Sequence, residues 1–307
     1  MPTRAGSFHL FRIFGIDVYV HYAWFLAVMY FVSQTKGYSS LIWSVGECLS
    51  MFLIVLIHEF GHAFACRSVG GQANQIILWL FGGVAYVAPP QRPGAQLWSI
   101  AAGPLVNVVL LPILTGLWLV AGQMGWDETA PDTFKLLYHV QAINIMLLVF
   151  NMMPIYPLDG GQILRSLLWF VFGRANSLLA ASTIGFIGVG VLVLMAIWLQ
   201  SMWLGIMSAF ILINCWGGLK QARALARLAK IPRRDGFACP SCKTAPPRGE
   251  LWRCGKCGKP FDIFQTQAVC PHCGAQYSAM QCLDCGHSAP FTAWSGSSAE
   301  SGVRSAE

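Results

Sequence analysis

His58-Glu59-Phe60-Gly61-His62 places two histidines four residues apart, with a glutamate directly after the first. On a helix the two imidazoles fall on one face of adjacent turns. Both can then ligate one zinc ion, with Glu59 beside them as general base for a water. The stretch before the motif, Trp43 to Ile57, carries Glu47 as its one charge. Ionisable groups set in such an apolar run are costly and mark function. A hydrolytic zinc site takes three protein ligands and keeps a fourth position open, so two histidines leave one ligand to find. Asn151-Met-Met-Pro154-Ile-Tyr-Pro157-Leu-Asp159-Gly160-Gly161 offers it. Two prolines three apart cannot sit in an unbroken helix. Opened backbone at membrane depth is tolerated where protein or water satisfies it. Asp159 then brings a carboxylate to the opening and the glycine pair allows close packing. Taken alone, Asp159 also suits a helix N-cap; beside the histidines, the metal-ligand reading prevails.

These residues sit in a chain of 307 residues that is 55% apolar and 11% charged, against about 25% charged in soluble domains. The composition describes a polytopic membrane protein with a polar tail. Six spans are expected: about Val18 to Ser33, Leu41 to Arg67, Leu97 to Ala121, Phe134 to a break after Asn151, Ser177 to Leu199, and Met202 to Leu219. The last two, joined at Gln200–Ser201, equally suit a re-entrant pair. No cleavable signal peptide is expected. Between the second and third spans, Gly70–Gln96 is apolar, β-rich and split by Gly82-Gly83, which predicts a hairpin. Net charge is +7, but the lysines and arginines flank the spans and collect after the last, which argues for membrane orientation and against nucleic acid. Arg4, Arg12, Arg67, Arg92, Arg165, Arg174 and the cluster Lys220 to Arg234 fall on one side, which places both termini in the cytoplasm. Glu47 lies far along its helix from His58; His9, His21 and His139 lack ligand spacing and read as interfacial or packing residues. Asn107 and Asn144 are polar within spans; each suits a bridge between helices, and Asn107 also suits a place lining the site.

The chain resembles the site-2 protease family of intramembrane zinc metalloproteases over about residues 8–218. The family's H-E-x-x-H matches His58 to His62, and its N-x-x-P-x-x-x-L-D-G matches Asn151 to Gly160 without a gap. Ala102-Gly103-Pro104-Leu105-Val106-Asn107 is similar to its third core helix and Phe81-Gly82-Gly83-Val84 to its membrane-edge hairpin. The resemblance implies a six-helix core, one catalytic zinc on His58, His62 and Asp159, and cleavage of transmembrane protein substrates within the bilayer, in a bacterial plasma membrane. It also implies that an unwound substrate adds as a strand to the hairpin edge. Glu59 is then the catalytic base. Asn151 either donates to the scissile carbonyl as a second catalytic group or satisfies carbonyls freed by Pro154. A non-cleaving scaffold or regulator, and a metal transporter, are the competing classes. A retained Glu59 disfavours the first, and convergence of the ligands on one site disfavours the second.

The fold class is therefore an all-α polytopic membrane protein with a small membrane-associated β-hairpin and a small C-terminal zinc-ribbon domain. Residues 1–218 form the membrane domain. Residues 219–235 form a basic amphipathic stretch suited to an anionic leaflet. Residues 236–294 hold four C-x-x-C knuckles, Cys239/Cys242, Cys254/Cys257, Cys270/Cys273 and Cys282/Cys285, separated by 11, 12 and 8 residues. Four knuckles make two tetrahedral Cys₄ zinc sites, and a reducing side disfavours disulfides. Consecutive pairing is simplest, and pairing of the second knuckle with the third is also open. A protein partner is expected for this ribbon, since its basic residues are scattered. Residues 295–307 are expected to be disordered.

Overall fold

The computed structural model describes residues 6–34, 37–79 and 82–294. The chain divides into two compact units, Met1–Ala222 and Arg223–Glu307.

In the first unit, strands β1 (Ser7–Ile13) and β2 (Ile16–His21) lead into helix α1 (Ala23–Gln34) and then α2 (Leu41–Ser68). Strands β3 (Gln72–Trp79) and β4 (Gly82–Ala88) follow, then α3 (Pro93–Gln123), the short α4 (Trp126–Thr129), α5 (Pro131–Met152), α6 (Asp159–Trp198) and α7 (Met202–Lys230), of which the part up to Ala222 belongs to this unit. Among the described residues, α2, α3, α5 and α6 are long and apolar enough to cross a membrane. The expected first span takes a different form. Ile16, Val18 and Val20 are buried while Asp17, Tyr19 and His21 are half-buried, the period-two pattern of a strand built on β-branched residues. The helix that follows has 12 residues, about 18 Å of rise against about 30 Å of hydrocarbon. The predicted hairpin is also larger than expected: β1–β4 form one sheet in sequential order. Strand β2 runs parallel to β3, with Val18 opposite Ile76, and the other pairs are antiparallel. Leu80 and Phe81 lie outside the described residues.

This sheet lies on α2. Ile16, Val18, Val20, Ala73, Ile76 and Leu78 pack with Leu56, Ala63 and Cys66 in one cluster, each large side chain contributing about 1.5–3 kcal/mol on burial. Arg67, in the last turn of α2, pins the sheet's other end. Its Nε donates to the Ala73 carbonyl at 2.9 Å and its Nη2 to the Gly15 carbonyl at 3.0 Å. The sheet is thus held against the helix that carries the histidine motif.

The second decisive segment opens as expected. Helix α5 ends at Met152, and α6 begins at Asp159. The freed backbone is satisfied by local turns, by Gln162 Nε2 donating to the Pro157 carbonyl at 2.9 Å, and by the Cys215 thiol donating to the Tyr156 carbonyl. A Cβ on Gly160 or Gly161 would collide with the Met152–Tyr156 backbone, so the glycine pair is what lets α6 start there.

The second unit is built on two short hairpins, β5–β6 (Trp252–Arg253 with Pro260–Phe261) and β7–β8 (Met280–Gln281 with Ser288–Ala289). Trp252, Phe261, Phe264, Met280 and Trp294 form its core together with buried cysteines.

Candidate functional site

One turn of α2 separates His58 from His62, and both are buried, at 3% and 7% exposure. Their Nε2 atoms lie 3.1 Å apart. Asp159 Oδ2 stands 3.0 Å from His58 Nε2 and 3.4 Å from His62 Nε2. Asp159 is the first residue of α6, Leu158 holding the N-cap position, and its carboxylate faces the histidines. The structure thus brings together the three residues that sequence reasoning proposed, from segments 101 residues apart.

The chemistry of these donors fits a cation. His62 Nδ1 lies 2.9 Å from the Ser99 carbonyl oxygen, a pure acceptor, so Nδ1 carries the proton and Nε2 presents a lone pair. His58 Nδ1 meets Asn107 Oδ1 at 2.6 Å. Two nitrogen lone pairs and a carboxylate oxygen then point at one another with no proton between them. Donors each about 2.0–2.2 Å from one tetrahedral zinc stand roughly 3.3–3.5 Å apart, close to the spacing found. His58, His62 and Asp159 form a group able to hold a metal ion.

Glu59 is the next residue on α2 and turns to a different element. Its Oε2 accepts the backbone N–H of Ala85 on β4 at 2.7 Å, which leaves Oε1 uncommitted. A Cβ on Gly83 would overlap this carboxylate, and a Cβ on Gly103 of α3 would overlap the His62 ring. Both glycines make room for the side chains of the motif. Sequence reasoning missed these two contacts; a glycine inside an apolar helix, as at Ala102-Gly103-Pro104, was the available signal. Asn151 lies in the last turn of α5 and bonds none of the carbonyls freed by Pro154. Among the described residues its amide has no hydrogen-bond partner.

Two polar residues outside the metal group also find partners. Glu47 Oε2 accepts from the Tyr38 hydroxyl at 2.7 Å and from His139 Nδ1 at 2.8 Å. His139, expected as a packing or interfacial residue, thus joins α5 to α2. Burial and the bond to Glu47 push the Tyr38 phenol above its ordinary range.

In the second unit the knuckles nest. Cys239 and Cys242 meet Cys285 and Cys282 at 3.6 and 3.8 Å, and Cys254 and Cys257 meet Cys273 and Cys270 at 3.5 and 3.8 Å. Each tetrad could hold a metal ion. The simplest expectation, consecutive pairing, is replaced by the first knuckle pairing with the fourth and the second with the third. The reason is local: the second and third knuckles sit either side of the β6 segment and its following turn, and the third closes back on the second. After each knuckle the chain turns through positive φ, at Lys243, Gly258, Gly274 and Gly286. The Tyr277 hydroxyl donates to Cys254 Sγ at 3.0 Å and holds that thiol down at about 5, which favours the thiolate a metal needs. Arg233 grips Asp284 through two bonds of 2.6 and 3.0 Å, and Arg234 bonds Asp262 at 2.5 Å. Two cations of the expected membrane-facing cluster are therefore committed to the ribbon.

Fold and site define a class: an integral membrane protein with an H-E-x-x-H metal group set in a spanning helix and completed by an aspartate from a broken one. The family described as Peptidase family M50 matches residues 47–135 and 125–195. The chain is similar to a zinc metalloprotease of Methanocaldococcus jannaschii, with 32% identity over 58% of this chain and 50% of that one. A Synechocystis protein named as a zinc metalloprotease is 30% identical over 76% of this chain and 63% of its own. The solved site-2 protease from M. jannaschii superposes with a TM-score of 0.52 at 26% identity, covering 69% of this chain and 95% of that one. The chain spans half to two thirds of the length of these two metalloprotease relatives.

Proposed function

We propose that this protein is an intramembrane zinc metalloendopeptidase that hydrolyses peptide bonds within or near the transmembrane segments of membrane-protein substrates. The observation that carries the reading is the convergence of His58 Nε2, His62 Nε2 and Asp159 Oδ2 beside a buried Glu59. Zinc, when bound there, supplies the charge that polarises a carbonyl oxygen and acidifies a water. Glu59 takes the attacking water's proton at Oε1 and passes it to the leaving amine. Oε2 stays on the Ala85 N–H and fixes the direction of that transfer. The free Asn151 amide donates to the scissile carbonyl. Strand β4 is one of the sheet's two edge strands and the one bonded to Glu59, so an unwound substrate can add along its edge there. Two further zinc ions are assigned to the cysteine tetrads, with structural roles. Both termini are read as cytoplasmic; a single cysteine placed near Asp127 should then be labelled by an impermeant thiol reagent from outside, and labelling from the cytoplasmic side alone would reverse the orientation.

The test is Glu59→Gln. The amide still accepts from the Ala85 N–H but cannot take a proton. Zinc content should match wild type while cleavage of a transmembrane model peptide falls by about 10²–10⁴-fold. Cleavage at the wild-type rate by the pure variant would remove Glu59 from the chemistry.

A further inference from the structure

Two buried amides and one buried imidazole form a chain across α2, α3 and α5 whose direction is set by a backbone group. Asn107 and Asn144 are both fully buried. Asn144 Nδ2 lies 3.1 Å from the main-chain oxygen of Asn107. A main-chain carbonyl only accepts, so the Asn144 atom facing it must be the nitrogen. Asn144 Oδ1 then faces the side chain of Asn107 at 2.8 Å, and what meets it there must be Asn107 Nδ2. That leaves Asn107 Oδ1 for His58 Nδ1, at 2.6 Å. Each assignment forces the next, and the last places the His58 proton on Nδ1 and its lone pair on Nε2.

From this we infer that Asn144 is a positioning residue that locks the tautomer of His58 through Asn107. The inference rests on the reading of His58 as a metal ligand. Without an acceptor at 144, the Asn107 amide is free to turn over. Its NH₂ would then face His58 Nδ1, the imidazole proton would move to Nε2, and the nitrogen aimed at Asp159 would no longer carry a lone pair. His62 needs no such relay, because the Ser99 carbonyl fixes its proton directly. Partners that orient a ligating histidine through its other nitrogen typically alter metal affinity 10–100-fold when removed.

The measurement is made on the full chain in detergent, with ¹⁵N-labelled histidine to report which ring nitrogen of His58 is protonated before zinc is added. Zinc affinity is read by competition with a chelator, the cysteine tetrads serving as an internal reference. Wild type should show His58 protonated at Nδ1. Asn144→Leu should mix the two tautomers and weaken the histidine site about 10–100-fold while the tetrads hold. Asn144→Asp, kept neutral by burial, presents the same acceptor and donor and should restore both readouts. Should Asn144→Leu not fold, wild type and Asn144→Asp still decide. Wild-type His58 protonated at Nε2, or Asn144→Leu with unchanged tautomer and affinity, overturns the lock. A tautomer that scrambles in Asn144→Leu with no change in zinc affinity leaves the lock standing and removes His58 from the ligand set, so the functional reading is what fails.

Discussion

Gly103→Ala is the smallest change that tests how the helices hold the metal group. On helix propensity alone, alanine should be preferred here by about 0.8–1 kcal/mol. Position 103 reverses that sign, because the added Cβ would fall on Nε2 and Cε1 of His62 and within 2.8 Å of His58 Nε2. The His62 ring cannot swing aside freely. Its Nδ1 is held by the Ser99 carbonyl at 2.9 Å, and breaking such a bond costs about 0.5–1.5 kcal/mol. Forcing a methyl into a packed site costs about 1–3 kcal/mol more. A loss of about 1.4–2.8 kcal/mol from zinc binding is a 10–100-fold fall in affinity, from a variant that removes no ligand. Gly116 on the same helix is the control, since a Cβ there meets nothing within 4 Å; Gly116→Ala should bind zinc as wild type and melt no lower. The assays are zinc competition and cleavage of a transmembrane model peptide. Wild-type affinity and rate in Gly103→Ala would refute the claim that α3 packs directly on the ligands.

Two more outcomes follow from local geometry. Nested knuckles predict that Cys242→Ser combined with Cys282→Ser removes one zinc ion from the ribbon, whereas Cys242→Ser combined with Cys254→Ser removes two; metal analysis giving the opposite order would restore consecutive pairing. The Tyr38 phenol is raised in the folded state, so its contribution is whole below its ordinary value of about 10 and is lost as pH climbs through the higher folded value. Wild type should therefore lose melting temperature relative to Tyr38→Phe from about pH 10 upward, and parallel curves would detach Tyr38 from Glu47.

The proposed metal ligands were legible because their chemistry leaves few substitutes. His58 and His62 declare a shared helical face, and Pro154 and Pro157 declare a broken helix that brings Asp159 inward. Four of the six expected spans were legible for a similar reason: α2, α3 and α5 begin and end within a few residues of their apolar runs, and the fifth falls almost wholly inside α6, whereas α7, the expected sixth, is not among the described helices long and apolar enough to cross a membrane. What escaped were relations that tertiary structure alone decides. The apolar stretch from Val18 onward hid the alternation of Ile16, Val18 and Val20 under its overall hydrophobicity, so β2 was taken into a span. Knuckle pairing depends on how two hairpins pack around Trp252 and Phe261, which spacing does not encode, although a glycine, Gly258, Gly274 or Gly286, directly follows three of the four knuckles.

The deepest of these relations concerns neighbours in the motif. His58 and Glu59 are consecutive, so a helical step of roughly 100° aims them at different elements. His58 reaches Asn107 on α3 and Asp159 on α6, while Glu59 reaches Ala85 on β4. A ligand must be held rigidly by its second nitrogen, and a base must keep one oxygen free; one partner shell could not do both. The step along α2 separates the two demands and assigns each to its own wall of the site. Gly83 and Gly103 are where those walls come close enough to act. A Cβ at either position would strike Glu59 or His62, so the absence of a side chain at 83 and 103 shapes the proposed site as directly as the motif's own side chains do.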